Sequence, residues 1–171
     1  MLIPIADVPL WYAERKPKDA IAVSHGADTL TWDQLERNAR ARARAFAAKG
    51  VKPGDFVAIG LPSSNAFFET TFAVWKCGAT PTSLTWRLPR GEAAAVLDIL
   101  KPSLVVGGQP DWNAPNSLPA DFSPDGFSDA PSSSACPIRN SDSGYTPSSN
   151  STRLPTRKRS PTAWARSSPI D

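Results

Sequence analysis

Few side chains in this sequence combine a reactive type with a suggestive setting, and each has a plainer use. Arg87, in the turn Trp86-Arg87-Leu88-Pro89, carries a planar guanidinium suited to two-pronged contact with a phosphate. It could equally fix a strand-to-helix turn and pack, with Trp86, on a neighbouring helix. His25 is the single histidine, and its place in a hairpin turn reads as a solvated side chain rather than a general base. Cys77 lies in an apolar helical run and reads as a small core residue rather than a nucleophile. Cys136 stands in a Ser/Pro-rich stretch, and neither cysteine belongs to a C-x-x-C or His/Cys metal pattern. Arg40, Arg42 and Arg44 alternate along a predicted helix, which spreads them around its circumference as a solvated face rather than a nucleic-acid surface. Arg157-Lys158-Arg159-Ser160-Pro161 has the look of a basic targeting or phosphorylation patch. No residue is assigned a chemical step or a metal.

The elements that must position these residues fit in one ordinary domain, or in one subdomain with a tail, since the chain has 171 residues. An apolar share of 40% is adequate for a soluble core. The net charge of +3 would point to an anionic partner only if its basic residues clustered on a folded surface. The cysteine usage suggests a reducing, cytoplasmic compartment. Residues 1–17 lack the basic start and long apolar stretch of a signal peptide, and no apolar run is long enough to span a membrane.

Residues 4–14 read as a short amphipathic start with Ile5, Val8 and Trp11 on one face. Ile21-Ala22-Val23 and Leu30-Thr31-Trp32 flank His25-Gly26-Ala27-Asp28 and predict a β-hairpin. A helix follows to Lys49, opened by a capping box from Thr31 to Gln34, with Leu35, Ala39, Ala43 and Phe46 at helical spacing. Phe56-Val57-Ala58-Ile59 has the near-continuous apolar character of a strand covered on both faces. Ser63 or Ser64 caps a helix over residues 65–77, with Phe68, Phe72 and Trp75 predicted on its core side. A strand over residues 80–84, a helix from Pro89 to Leu100 and a strand at Leu104-Val105-Val106 complete the series. This alternation predicts an α/β fold: a parallel sheet with helices on both faces. Residues 109–127 read as a loop. From about residue 128 Ser, Pro, Thr, Asn and Asp prevail without apolar period, which predicts a disordered tail over 128–171.

Residues 1–108 resemble the N-terminal subdomain of the AMP-forming acyl- and aryl-CoA synthetases, the adenylate-forming superfamily. The matching pieces are Leu30-Thr31-Trp32 before a helix, Gly50-Val51-Lys52-Pro53-Gly54-Asp55 with its strand, Leu61-Pro62-Ser63-Ser64, Trp75-Lys76-Cys77-Gly78-Ala79 and the Trp86-Arg87-Leu88-Pro89 turn. The last resembles in particular the acid-CoA ligase branch that includes bile-acid and steroid-side-chain ligases. The resemblance implies a parent enzyme that uses ATP, Mg²⁺ and CoA: the carboxylate of an acid substrate is adenylated with loss of pyrophosphate, then the CoA thiol displaces AMP. It also implies that Arg87 can lie near the CoA nucleotide phosphates.

Adenylation in this family needs a Ser/Thr/Gly-rich loop ending in Pro-Lys, whose N–H groups cradle phosphate. The nearest imitation, Ser148-Ser149-Asn150-Ser151-Thr152, has no glycine, follows no predicted strand and opens no helix. The adenine- and ribose-binding motifs and the C-terminal domain with its catalytic Lys are absent from these 171 residues. The chain alone is therefore expected to be inactive: a fragment of a synthetase whose tail, from a point near residues 128–135, is read out of frame. A non-catalytic partner or scaffold, associating with a complementary synthetase fragment, is the alternative. Nucleic acid is not an expected partner. Translating the coding DNA beyond codon 120 in all three frames tests the frame change: another frame should supply the Gly/Thr-rich loop ending in Pro-Lys, and its absence from every frame would make the tail authentic.

Overall fold

The computed structural model describes residues 2–109, 112 and 114–124. The predicted disordered tail, with Cys136, residues 148–152 and Arg157-Lys158-Arg159, lies outside the described residues.

The chain enters through a 3₁₀ turn, Ile5–Asp7, and helix α1, Val8–Arg15, whose Pro9 falls in the first turn, where a missing N–H costs nothing. Strands β1 (Ile21–His25) and β2 (Asp28–Thr31) form the expected antiparallel hairpin. Its two-residue turn places Gly26 at φ 61°, a left-handed conformation that glycine adopts without steric cost. Helix α2, Trp32–Ala48, opens on the predicted capping box. The Gln34 N–H donates to Thr31 Oγ1 (3.2 Å) and the Thr31 N–H donates to Gln34 Oε1 (2.8 Å). Trp32, expected at the end of the strand, is instead the first helical residue; Tyr12 stacks on it at 4.4 Å between centroids, which ties α1 to α2.

Beyond α2 the chain alternates β3 (Phe56–Gly60), α3 (Asn65–Lys76), β4 (Thr80–Ser83), α4 (Arg90–Leu100), β5 (Leu104–Gly107) and β6 (Ser117–Leu118). The sheet order is β4-β3-β5-β6, with every pairing parallel. β6 lies within residues 109–127, so that stretch is more than a connection: it adds a strand beside β5, and Leu118 is buried. Side-chain alternation divides the core in two. Val57, Ile59, Leu104 and Val106 face α2 and α3, meeting Ala43, Phe46, Ala73, Val74 and Cys77. Ala58 and Val105 face the other way, under Ala93, Leu97 and Leu100 of α4. Full burial of each large side chain contributes about 1.5–3 kcal/mol, and Phe46, Leu35, Ile59 and Leu104 are all fully covered.

Two further details depart from the sequence reading. The sheet-facing side of α3 is not Phe68, Phe72 and Trp75 but Phe67, Ala73, Val74 and Cys77. Both sets recur at helical spacing, and along Ala73, Val74 and Cys77 the small side chains let the helix axis approach the sheet closely. The larger rings turn aside: Phe68 is 40% exposed, and Phe72 meets Trp75 edge to face at 5.2 Å. Such rings still find partners because α3 also packs on the hairpin, the 3₁₀ turn and α2.

The second departure concerns the alternating arginines. Arg42 is buried, not solvated, because it falls on the same stripe as Leu35, Ala39 and Phe46. Its Nε and Nη2 each lie 3.0 Å from Glu69 Oε2, and its Nη1 donates to the Phe122 carbonyl at 3.1 Å. The Asn38 amide donates to Glu69 Oε1 at 2.7 Å, so both carboxylate oxygens are occupied. Nearby, Glu36 binds Arg40 and Lys76, and Lys76 Nζ also donates to the Ala6 carbonyl at 2.9 Å. These bonds join α2 to α3 and anchor both ends of the described chain. Replacing Arg42 alone with Leu strands a buried carboxylate and is expected to cost about 3–5 kcal/mol in urea unfolding, whereas Arg42→Leu combined with Glu69→Leu should cost clearly less.

Candidate functional site

The connections between strands decide where a ligand could sit. From the carboxyl end of β3 the chain passes to α3 on one face of the sheet, and from that of β4 it passes to α4 on the opposite face. Open α/β sheets bind ligands outside the carboxyl ends of their strands, where connections diverge in this way. Three segments border that edge: Leu61-Pro62-Ser63-Ser64 after β3, residues 84–89 after β4, and Gly108-Gln109 after β5.

Arg87 projects from the middle of the second segment and is exposed. Its guanidinium lies over the Trp86 ring, 4.5 Å from the centroid, and Trp86 is itself 36% exposed. Arg87 packs on Trp86, and its charge makes no ion pair among the described residues. The turn around it is held internally by Leu88 N–H donating to the Thr85 carbonyl at 3.0 Å. Two longer-range bonds hold it from outside. The Gln109 amide donates to the Trp86 carbonyl at 2.9 Å, and the Trp112 indole N–H donates to the Leu88 carbonyl at 3.1 Å.

Trp112 reaches that carbonyl because two glycines give it room. A Cβ on Gly60 would lie 3.0 Å from the indole Cη2 and 2.7 Å from the Gly108 nitrogen, while one on Gly108 would run into the indole ring. Gly108 also takes φ 85°, and its N–H donates to the Gly60 carbonyl at 2.7 Å, closing the ends of β3 and β5 together. The indole therefore touches the ends of two strands and the turn after a third. Gln109 and Trp112 are the residues that the sequence reading did not single out; only a tryptophan shortly after Gly107-Gly108 in a polar stretch hinted at the second.

The first segment has the strand-loop-helix form of a phosphate loop without its composition. Ser64 Oγ accepts from the Phe67 N–H at 3.4 Å and so caps α3 itself, and the loop holds a proline and no glycine. Among the described residues no three of His, Cys, Asp and Glu gather as a metal site. These residues do not fit ATP or Mg²⁺, whereas an outward-facing guanidinium does fit a phosphate of CoA. His25 is exposed in its hairpin turn and Cys77 is fully buried, its thiol 3.4 Å from the Ala43 carbonyl. No helix of the described residues is long and apolar enough to cross a membrane.

Comparison with known proteins agrees with this geometry. The sequence model of the AMP-binding enzyme family matches residues 10–158. A feruloyl-CoA synthase from an Amycolatopsis species is 40% identical over 74 residues, which are 43% of this chain and 15% of that protein. The peroxisomal acetate/butyrate–CoA ligase of Arabidopsis thaliana is 32% identical over 104 residues, covering 59% of this chain and 18% of the relative. The chain thus spans less than a fifth of the length of either. Among solved structures, the N-terminal subdomain of Klebsiella oxytoca NpsA superimposes with a TM-score of 0.65 at 18% identity, over 75% of this chain and 34% of that one. The chain belongs to the AMP-binding enzyme family, and its described residues have the fold of the N-terminal subdomain of an adenylate-forming ligase.

Proposed function

We propose that these residues are the N-terminal part of an AMP-forming acid-CoA ligase, in which Arg87 contacts a nucleotide phosphate of CoA. The parent reaction joins a carboxylic acid, ATP and CoA into acyl-CoA, AMP and pyrophosphate through an acyl-adenylate. The observation that carries the reading of Arg87 is its position: an outward guanidinium, without an acidic partner among the described residues, at the carboxyl edge of a parallel sheet. The guanidinium rests over the Trp86 ring and the side chain is exposed, which leaves its N–H groups able to donate to a phosphate. When bound, CoA supplies the thiol acceptor of the acyl group; the part proposed for this chain is to hold its phosphates.

The adenylation step is assigned to none of the residues in this chain. Its phosphate loop has no counterpart in the sequence, and the composition after residue 127 is that of GC-rich coding DNA read in a shifted frame. The family match continues to residue 158, so the frame change rests on composition and on the missing glycines rather than on where the likeness stops. A cytoplasmic enzyme of acyl activation, with its acid chosen by segments beyond these, is the parent inferred. No feature of the described surface favours a scaffold role over this.

Two measurements test the proposal. The purified 171-residue chain is expected to show no carboxylate-dependent exchange of pyrophosphate into ATP, and measurable exchange would overturn its inactivity. In calorimetric titration with CoA, Arg87→Ala should weaken binding by roughly tenfold or more, since a charge-assisted phosphate contact is lost; unchanged binding would return Arg87 to a purely local role.

A further inference from the structure

The structure assigns Gln109 and Trp112 a positioning role: they hold the turn that presents Arg87 and so fix where its guanidinium can meet a phosphate. The inference rests on the proposed contact between Arg87 and CoA. Residues 84–89 connect a strand to a helix, and the internal bond from Leu88 N–H to the Thr85 carbonyl closes only part of the segment. The carbonyls of Trp86 and Leu88 point back toward the protein, where Gln109 Nε2 (2.9 Å) and Trp112 Nε1 (3.1 Å) donate to them.

The Trp86 carbonyl belongs to the peptide plane that enters Arg87, and the Leu88 carbonyl to the plane that enters Pro89. Pro89, at φ −58°, fixes the far end through its ring. The plane that leaves Arg87 carries the Leu88 N–H, which is held on the Thr85 carbonyl. With both flanking planes tethered and the next one held by Trp112, the arginine backbone has little freedom left, and the Trp86 ring beneath the guanidinium restricts the side chain as well. A binding group ordered in advance loses less freedom when its ligand arrives, and the gain appears as affinity.

The donors suit this task differently. Trp112 is 5% exposed and wedged over Gly60 and Gly108, so its N–H is fixed by packing. Gln109 is more open and acts as a surface strut, which makes it the better site for substitution without loss of the core.

The experiment uses the full chain, with CoA as the probe, in four forms: unaltered, Gln109→Ala, Arg87→Ala and the double variant. Gln109→Ala should weaken CoA binding about three- to tenfold. In the Arg87→Ala background the same change should have no further effect, because Gln109 touches the ligand only through Arg87. Hydrogen exchange should accelerate in peptides covering residues 84–89 and stay unchanged in those from α2 and β3. Unchanged exchange over residues 84–89, or full CoA affinity in Gln109→Ala while Arg87→Ala loses it, would overturn the positioning role and leave the Arg87 contact standing. A separate, additive loss in the double variant would overturn it too. No CoA binding by the unaltered chain, or binding indifferent to Arg87→Ala, would instead overturn the contact on which the role depends.

Discussion

Everything in this subdomain answers to the demands of β3. It is paired on both edges, with β4 and β5, and Val57, Ala58 and Ile59 are fully buried on its two faces. A parallel strand in that position cannot be joined to its neighbours by hairpins, so each connection must cross a face of the sheet and cover it. α3 takes one face and α4 the other, and their approach loops diverge at the carboxyl edge. The small residues of that edge follow from the same crowding. Gly60 and Gly108 stand where two strand ends meet and where an indole must pass above them.

The polar network on the far side of α3 complements this apolar centre. Arg42, Glu69 and Asn38 sit where a hydrophobic contact would also fit, and both oxygens of Glu69 have hydrogen-bond partners. Apolar packing on the sheet decides which face of α3 turns inward, and a fork-shaped guanidinium on one carboxylate then ties α3 to α2; its third bond, to the Phe122 carbonyl, brings in the chain that follows β6.

Local chemistry was the legible part of the sequence. The Thr31 and Gln34 capping box, the Ser64 cap, the Gly26 turn and the apolar run of β3 each act over four or five residues, so the signal and the structure occupy the same window. The buried face of α3 was not legible, because two apolar sets share the helical period and only the sheet decides between them. Arg42 was hidden by its type: its stripe was apparent, but an arginine becomes a core residue only when Glu69 lies opposite it. β6 has two residues, too few for any period. The bonds from Gln109 and Trp112 end on main-chain carbonyls 23 and 24 residues earlier, and a carbonyl is present whatever the side chain, so their acceptors leave no mark in the sequence. Residues that would touch a ligand were thus easier to nominate than those that support them.

Pro81 bears on how such a chain behaves among its own kind. The N–H groups of Thr80 and Leu84 donate to the Asp55 and Ile59 carbonyls of β3 and its approach, so the amide position of residue 81 faces the other edge, where the described residues place no strand. A proline there offers no hydrogen to a second molecule seeking to extend the sheet. A copy that meets another at this edge finds a gap in the middle of the ladder, so strand-by-strand extension of the sheet loses its template there.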